Sequence, residues 1–470
     1  MATICAAHPK EGGRTVEISH FRADISPEIG ANICGYAPNQ RAVERHDPLY
    51  VCGLLVDDGK SKALIATFDL VGLDASVMRK FREKCGKELD IRPENVFLSC
   101  THNHSGPESV RRLNLPDSIN MDYIARIENV LVEQVRLLKT AEKTECEVLF
   151  NSVYIDENYN RRFVTGDNVA SFVPYRRSLM PMCHGLADKE LGVLLFYHAH
   201  RDPNYLPGYD GPVYVIGNYA AHVLATHAPG RGGIRITADF PGIYRDYLKS
   251  EMGAESMFIQ GASGDVVPKG DELGFEAARR TGVNLAMATI NAAIESLRNA
   301  ERFRLPMPRI GAKMREFALP MRTRFKNQIQ PEYSGSNEMR LEVQCLSIGD
   351  VAYVGMPGEL LNELGQEIKW HSPYRRTWIA NLSTGFAGYF CSGNMFVQGG
   401  YEPKKQPFIS RGGLRIVTES VDALYALRAQ IFPECSSEGE PYPEYLDEPL
   451  VRIPCGETKS NFKFNEDKDK

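Results

Sequence analysis

Apolar residues at Ile124, Ile127, Leu131, Val135 and Leu138 recur every three to four positions. That period predicts an amphipathic helix from about Tyr123 to Leu138. Helical patterning also runs from Ala75 to Glu88 and from about Phe275 to Leu297. Short apolar runs between these segments have the length and bounding turns of strands: Ala63 to Phe68, Val96 to Leu98, Cys146 to Ile155, Leu191 to Tyr197, Val213 to Ile216 and Ser256 to Ile259. Later in the chain, strands are predicted at Arg315 to Met321, Glu342 to Ile348, Val351 to Val354 and Thr377 to Ala380, with a helix at Leu360 to Lys369.

Strands and helices mixed in this way predict an α/β protein with layered mixed sheets flanked by helices, of α-β-β-α type. Neither an internal repeat nor a low-complexity linker interrupts the pattern, so a single large catalytic domain is expected over residues 16–432. Residues 1–15 are expected to be a flexible N-terminus. From Pro433 the composition turns polar and ends in Asn465-Glu-Asp-Lys-Asp-Lys470, which predicts a surface tail over 433–470.

Composition narrows the partners. The chain has 470 residues, and 55 Lys and Arg against 60 Asp and Glu give a net charge of −5. A nucleic-acid partner is not expected, because it calls for a basic face. No apolar run approaches the roughly 20 residues of a membrane span. Met1 to Arg14 lacks the charged start and long apolar core of a signal peptide. Eleven cysteines, an odd number without Cys-x-x-Cys spacing, suggest buried, reduced thiols and a cytoplasmic protein. The alternative is a secreted protein read without its leader.

The sharpest chemical signal is Thr101-His-Asn-His-Ser-Gly-Pro107, directly after the strand-like Val96 to Leu98. In an extended segment residues i and i+2 share a face, so His102 and His104 can aim at one point. Two converging imidazoles make half a zinc site; the bland alternative is a pair of surface or core histidines. Asn218-Tyr-Ala-Ala-His222 brings a third imidazole to another strand end, although His222 by itself reads as an ordinary packed histidine. Pro357-Gly-Glu359 follows Val351 to Val354, and a glutamate in a first helical turn is also what the helix dipole favours. Tyr389 and Tyr401 follow Gly-rich loops. Taken together, these residue types at strand ends match a nitrogen- and oxygen-ligated zinc with a position open to water. The Gly/Pro-rich stretches Pro203 to Pro212 and Pro229 to Gly233 are expected to wall the substrate.

The ordered set of short motifs resembles the catalytic N-terminal domain of the neutral/alkaline, non-lysosomal ceramidases. It comprises Ala23-Asp-Ile-Ser-Pro27, His46-Asp-Pro-Leu-Tyr50, Thr101 to Pro107, Asn158-Tyr-Asn-Arg-Arg162, Asn218 to His222, Ala238-Asp-Phe-Pro-Gly242, Gln260 to Pro268, Pro357 to Glu359, Ala387-Gly-Tyr389 and Tyr401. The resemblance covers most of residues 20 to 430. It implies Zn2+ held by His102, His222, Glu359 and Tyr389, with His104 aimed at the scissile carbonyl. It also implies that Tyr401 and Arg161 bind and polarise the acyl group; the alternative for Arg161 is an ordinary surface arginine. A serine once proposed as nucleophile in that family aligns with Gly261, which leaves water as the nucleophile.

The expected activity is therefore metal-assisted hydrolysis of an N-acyl amide bond in a lipid or small molecule. No counterpart of the family's immunoglobulin-like C-terminal domain is expected here, and the polar 203–212 stretch suggests a smaller, more polar N-acyl substrate than ceramide. Two other readings are a TIM-barrel amidohydrolase, which also uses His-x-His after its first strand, and a non-catalytic metal-containing binder of lipid or glycan.

Overall fold

A computed structural model describes residues 15–35, 40–111, 119–165, 167–172, 185–200, 211–226, 234–269, 274–325 and 335–433. The 203–212 stretch except Gly211 and Pro212, the 229–233 stretch, residues 1–14 and the tail past 433 lie outside them.

Two sheets pack face to face. The larger has eight strands in the order Glu255–Gln260, Tyr214–Tyr219, Glu190–His198, Thr144–Tyr154, Val16–Asp24, Tyr50–Asp57, Lys62–Phe68 and Val96–Cys100. The smaller has four: Ile310–Pro320, Glu338–Ile348, Val351–Gly355 and Arg376–Ala380. Period-two alternation sorts each strand between layers. In Lys62–Phe68, Ala63 and Ile65 face the other sheet and pack in a core with Ile348, Tyr353 and Trp378. Leu64, Ala66 and Phe68 face outward, against Phe81 of the helix Ala75–Leu89 and Ile127 of the helix Met121–Leu138.

The other half of the large sheet is covered by the helices Asp239–Met252 and Phe275–Arg298, and the small sheet by Asn362–Trp370 and Gly412–Ile431. Helix, sheet, sheet and helix are thus the four layers expected. Among the described residues, no helix is long and apolar enough to cross a membrane. The TIM-barrel alternative fails here, because most strand pairs are antiparallel.

Within these two sheets three of the described strand pairs are parallel: Lys62–Phe68 with Val96–Cys100, Tyr214–Tyr219 with Glu255–Gln260, and Val351–Gly355 with Arg376–Ala380. A parallel pair needs a crossover, and each of these is bridged by a helix. The carboxyl ends of all three units meet where the sheets are stitched together. Asn218 Nδ2 donates to the carbonyls of Ile259 and Ile379 at 3.1 and 2.8 Å, and the Asn381 amide donates to Gln260 at 3.0 Å.

One internal ion pair anchors this edge. Arg245 donates two hydrogen bonds to Asp69, at 2.9 and 2.6 Å, and both side chains are 1% exposed. Asp69 also accepts from the Tyr50 amide, and its carbonyl accepts from Asn103 Nδ2. Asp69→Ala would strand a guanidinium in the core and is expected to cost about 3–5 kcal/mol. Chemical denaturation checks this; a loss below about 1 kcal/mol would show that the pair contributes little.

Candidate metal centre

Each candidate ligand leaves the carboxyl end of a strand in one of the parallel units. His102 and His104 follow Val96–Cys100, His222 follows Tyr214–Tyr219, and Glu359 follows Val351–Gly355. Tyr389 follows Arg376–Ala380 and lies opposite Glu359 in a two-residue parallel strand pair.

The route taken by the His-x-His segment differs from the extended one predicted. His102 sits at φ +64°, a left-handed conformation that is strained for a residue with a side chain, so the strand does not continue through it. A turn held by Asn103 aims the rings instead. Asn103 Nδ2 donates to the Asp69 and Thr237 carbonyls at 3.2 and 2.8 Å, and its Oδ1 accepts from the Ser105 amide. The rings still converge: His102 Nε2 lies 3.1 Å from His104 Nε2. Glu359 also differs from expectation. It belongs to the short strand Glu359–Leu360, and the helix begins only at Asn362, so the helix dipole does not explain it.

Hydrogen bonds fix the tautomers. His102 Nδ1 lies 2.8 Å from the Val71 carbonyl, which can only accept, so Nδ1 carries the proton. His222 Nδ1 likewise donates to the carbonyls of Ser263 at 2.6 Å and Val266 at 3.1 Å. Burial, followed by the Arg161 charge, pushes the His222 imidazole down to about 4, so it is neutral at physiological pH. With Nδ1 donating outward, each ring turns its Nε2 inward, where the neutral form offers a lone pair. Arg161 Nη1, which can only donate, lies 3.3 Å from His222 Nε2 and agrees with this assignment.

Those lone pairs meet a carboxylate. Glu359 Oε2 lies 3.3 Å from His102 Nε2 and 3.2 Å from His222 Nε2, and among the described residues no donor reaches it in hydrogen-bonding geometry. Three buried acceptors facing one another repel unless a cation lies between them. Two imidazoles and a carboxylate, each buried, form a zinc-type donor set, and the carbonyls behind the rings are the usual outer support.

His104 belongs to the same cluster. The ligand-capable nitrogens of His102, His104 and His222 all lie within 4.8 Å of one another, so distance alone does not set His104 apart as a non-ligand. Gly35 lies against its ring. A Cβ there would fall 2.5 Å from His104 Nδ1, and Gly35 sits at φ +90°, so glycine lets the loop close on the imidazole.

The aromatic hydroxyls lie around this cluster. The Tyr389 and Tyr401 rings are 5.8 Å apart, edge to face. Burial first, then the Glu359 charge, raises both phenols above the usual range, so both hydroxyls keep their protons in this environment. Tyr401 is 41% exposed and reachable by a ligand from solvent. Arg161 is not the surface arginine weighed as its alternative, being 3% exposed. It donates to Glu402 Oε1 at 2.9 Å, to the Gly264 carbonyl at 2.8 Å and to the Tyr389 hydroxyl at 3.3 Å. Ser263 is buried behind His222, which it serves through its carbonyl. Sequence reading passed over Asn103, Gly35 and Glu402, whose roles depend on contacts distant in the chain.

No protein-family model matches the sequence, and no curated protein matches it. Solved structures do. Neutral ceramidase from Pseudomonas aeruginosa superposes with a TM-score of 0.71 at 15% identity, over 88% of this chain and 75% of that one. A ceramidase complexed with C2 gives the same TM-score and identity, over 88% of this chain and 76% of the other. This chain has the neutral ceramidase fold. The resemblance read from short motifs is thereby matched in three dimensions, at an identity that shows the architecture alone.

Proposed function

We propose that this chain is a ceramidase-like hydrolase that cleaves an N-acyl amide bond and uses zinc held by His102, His222 and Glu359, with Tyr389 as the fourth ligand. The observation that carries this reading is the meeting of two inward-facing Nε2 nitrogens and a Glu359 oxygen that has no hydrogen-bond donor among the described residues, at the joined ends of the parallel units. When bound, a divalent cation supplies Lewis acidity and a water nucleophile usable near neutral pH.

The remaining chemistry falls to the chain's own side chains. In this reading His104, 3.1 Å from His102 within the cluster, carries a proton to the departing amine nitrogen. Tyr401, protonated and partly exposed, donates to the carbonyl oxygen as negative charge develops there. Arg161 is committed to Glu402, Gly264 and Tyr389, so in this reading it shapes the site rather than gripping the acyl group. With glycine at position 261 and Ser263 buried, serine takes no part.

The test is an acyl-amide panel run with chelator-treated and zinc-restored protein: short- and long-chain ceramides, N-acyl amino acids and N-acetyl sugars. Zinc-dependent release of amine is the expected result. The kcat/KM ranking then separates a ceramidase from an amidase acting on smaller polar compounds. Zinc-loaded protein that cleaves nothing in the panel would overturn the hydrolase reading in favour of a metal-containing binding protein.

A further inference from the structure

Glu402 is 1% exposed, and its carboxylate is shared between two buried arginines. Arg161 Nε donates to Oε1 at 2.9 Å and Arg162 Nη1 to Oε2 at 2.8 Å. Removing such ions from water is expensive, and the arrangement persists only where hydrogen bonds satisfy nearly every group. Its partners lead in two directions. Through Arg161 it reaches the His222 Nε2 nitrogen and the Tyr389 hydroxyl, each at 3.3 Å. Through Arg162 Nη2 it reaches the Gly399 carbonyl at 3.0 Å and Gln398 Oε1 at 3.3 Å, in the segment that leads into Tyr401. Glu402 itself is the next residue in the short helix Tyr401–Lys405.

We propose that Glu402 is a positioning residue: it pins Arg161 beside the ligand cluster and anchors the Tyr401 helix against Tyr389. This rests on the reading of His102, His222 and Glu359 as metal ligands. A guanidinium released from Glu402 keeps its contact with His222 Nε2 and is drawn toward the Glu359 charge, and there it competes with an incoming cation. The same release frees the segment that carries the proposed oxyanion donor. Glu402 needs no contact with substrate to affect both.

Glu402→Gln is the direct variant, and Glu402→Asp the conservative one. Because removing one member of a buried triad can prevent folding, Glu402→Gln/Arg162→Met serves as the charge-balanced companion. The triad carries one net positive charge in the native chain, and Arg161 alone carries one in the double variant. Three readouts apply: amide hydrogen exchange over residues 399–406, zinc affinity by competition with a chromophoric chelator, and kcat and KM measured separately. In Glu402→Gln and in the double variant, exchange over 399–406 should accelerate at least about tenfold while the sheets stay protected. Zinc affinity should fall by about 10–100-fold, as for other supporting partners of metal ligands. The main kinetic loss should be in kcat, and Glu402→Asp should recover part of all three.

A folded double variant with native exchange over 399–406 and native zinc affinity would overturn the proposal, leaving Glu402 as a counter-charge for Arg162 alone. If the native chain holds no zinc, the ligand reading falls, and exchange over 399–406 still decides whether Glu402 anchors the helix.

Discussion

Zinc should be lost from His222→Ala, together with turnover. The native chain is expected to hold about one zinc, and elemental analysis after gel filtration reads the ratio directly. A four-ligand protein zinc site is worth roughly 10–16 kcal/mol. Removing one ligand in four therefore costs about a quarter of that, or on the order of 10²–10³-fold in affinity. The ring is fully buried and its Nδ1 already serves two carbonyls, so alanine removes the inward nitrogen without exposing the site. Glu359→Gln should behave alike, since it removes the charge that faces both rings. Full metal retention in His222→Ala would remove that residue from the ligand set, and retention in both would sink the assignment. Far-ultraviolet circular dichroism has to show native content in each variant, because the Ser263 carbonyl loses its ring donor and the Val266 carbonyl is left with the backbone amide of residue 222.

The legibility of these ligands in the sequence follows from where they sit. His102, His222 and Glu359 come just after runs so apolar that their strand character survives in a single sequence: Val96 to Leu98, Val213 to Ile216 and Val351 to Val354. Strand ends are where open sheets gather ligands, so position along the chain carried part of the meaning. What failed was local geometry. A left-handed φ at His102 is imposed by Asn103 reaching the Asp69 and Thr237 carbonyls, and nothing within a few residues predicts that.

The helix Asp239–Met252 was missed for a related reason. A Pro-Gly pair is by itself a turn signal, yet Pro241 lies in the first helical turn, where it gives up no intrahelical hydrogen bond. The strands Val16–Asp24 and Tyr50–Asp57 went unread although they occupy the middle of the large sheet. Tyr50–Asp57 is buried on both faces, so period-two alternation is absent from its sequence. Glu402 gave no signal because its meaning lies in Arg161 and Arg162, some 240 residues earlier.

Tyr401→Phe and His104→Ala should separate catalysts from ligands, and they carry the second large expected effect. The proposed role of Tyr401 is to donate a hydrogen bond as charge develops on the carbonyl oxygen. Loss of one such donor costs on the order of 10²–10³ in kcat. The phenylalanine variant keeps the ring packed on Tyr389 and so should keep its zinc and a near-native KM. His104 is the harder case. Its nitrogen lies 3.1 Å from His102 Nε2, close enough to join the ligand set, whereas the motif resemblance casts it as an acid acting on substrate. A catalytic His104 predicts that the alanine variant retains zinc and loses kcat. A ligating His104 predicts that zinc and kcat fall together, as in His222→Ala. In that outcome Tyr389 becomes the residue to release from the metal, since its protonated, Arg161-bound hydroxyl already has a partner. Zinc content of Tyr389→Phe then completes the assignment: a protein that still holds its metal would place three histidines and Glu359 around the ion.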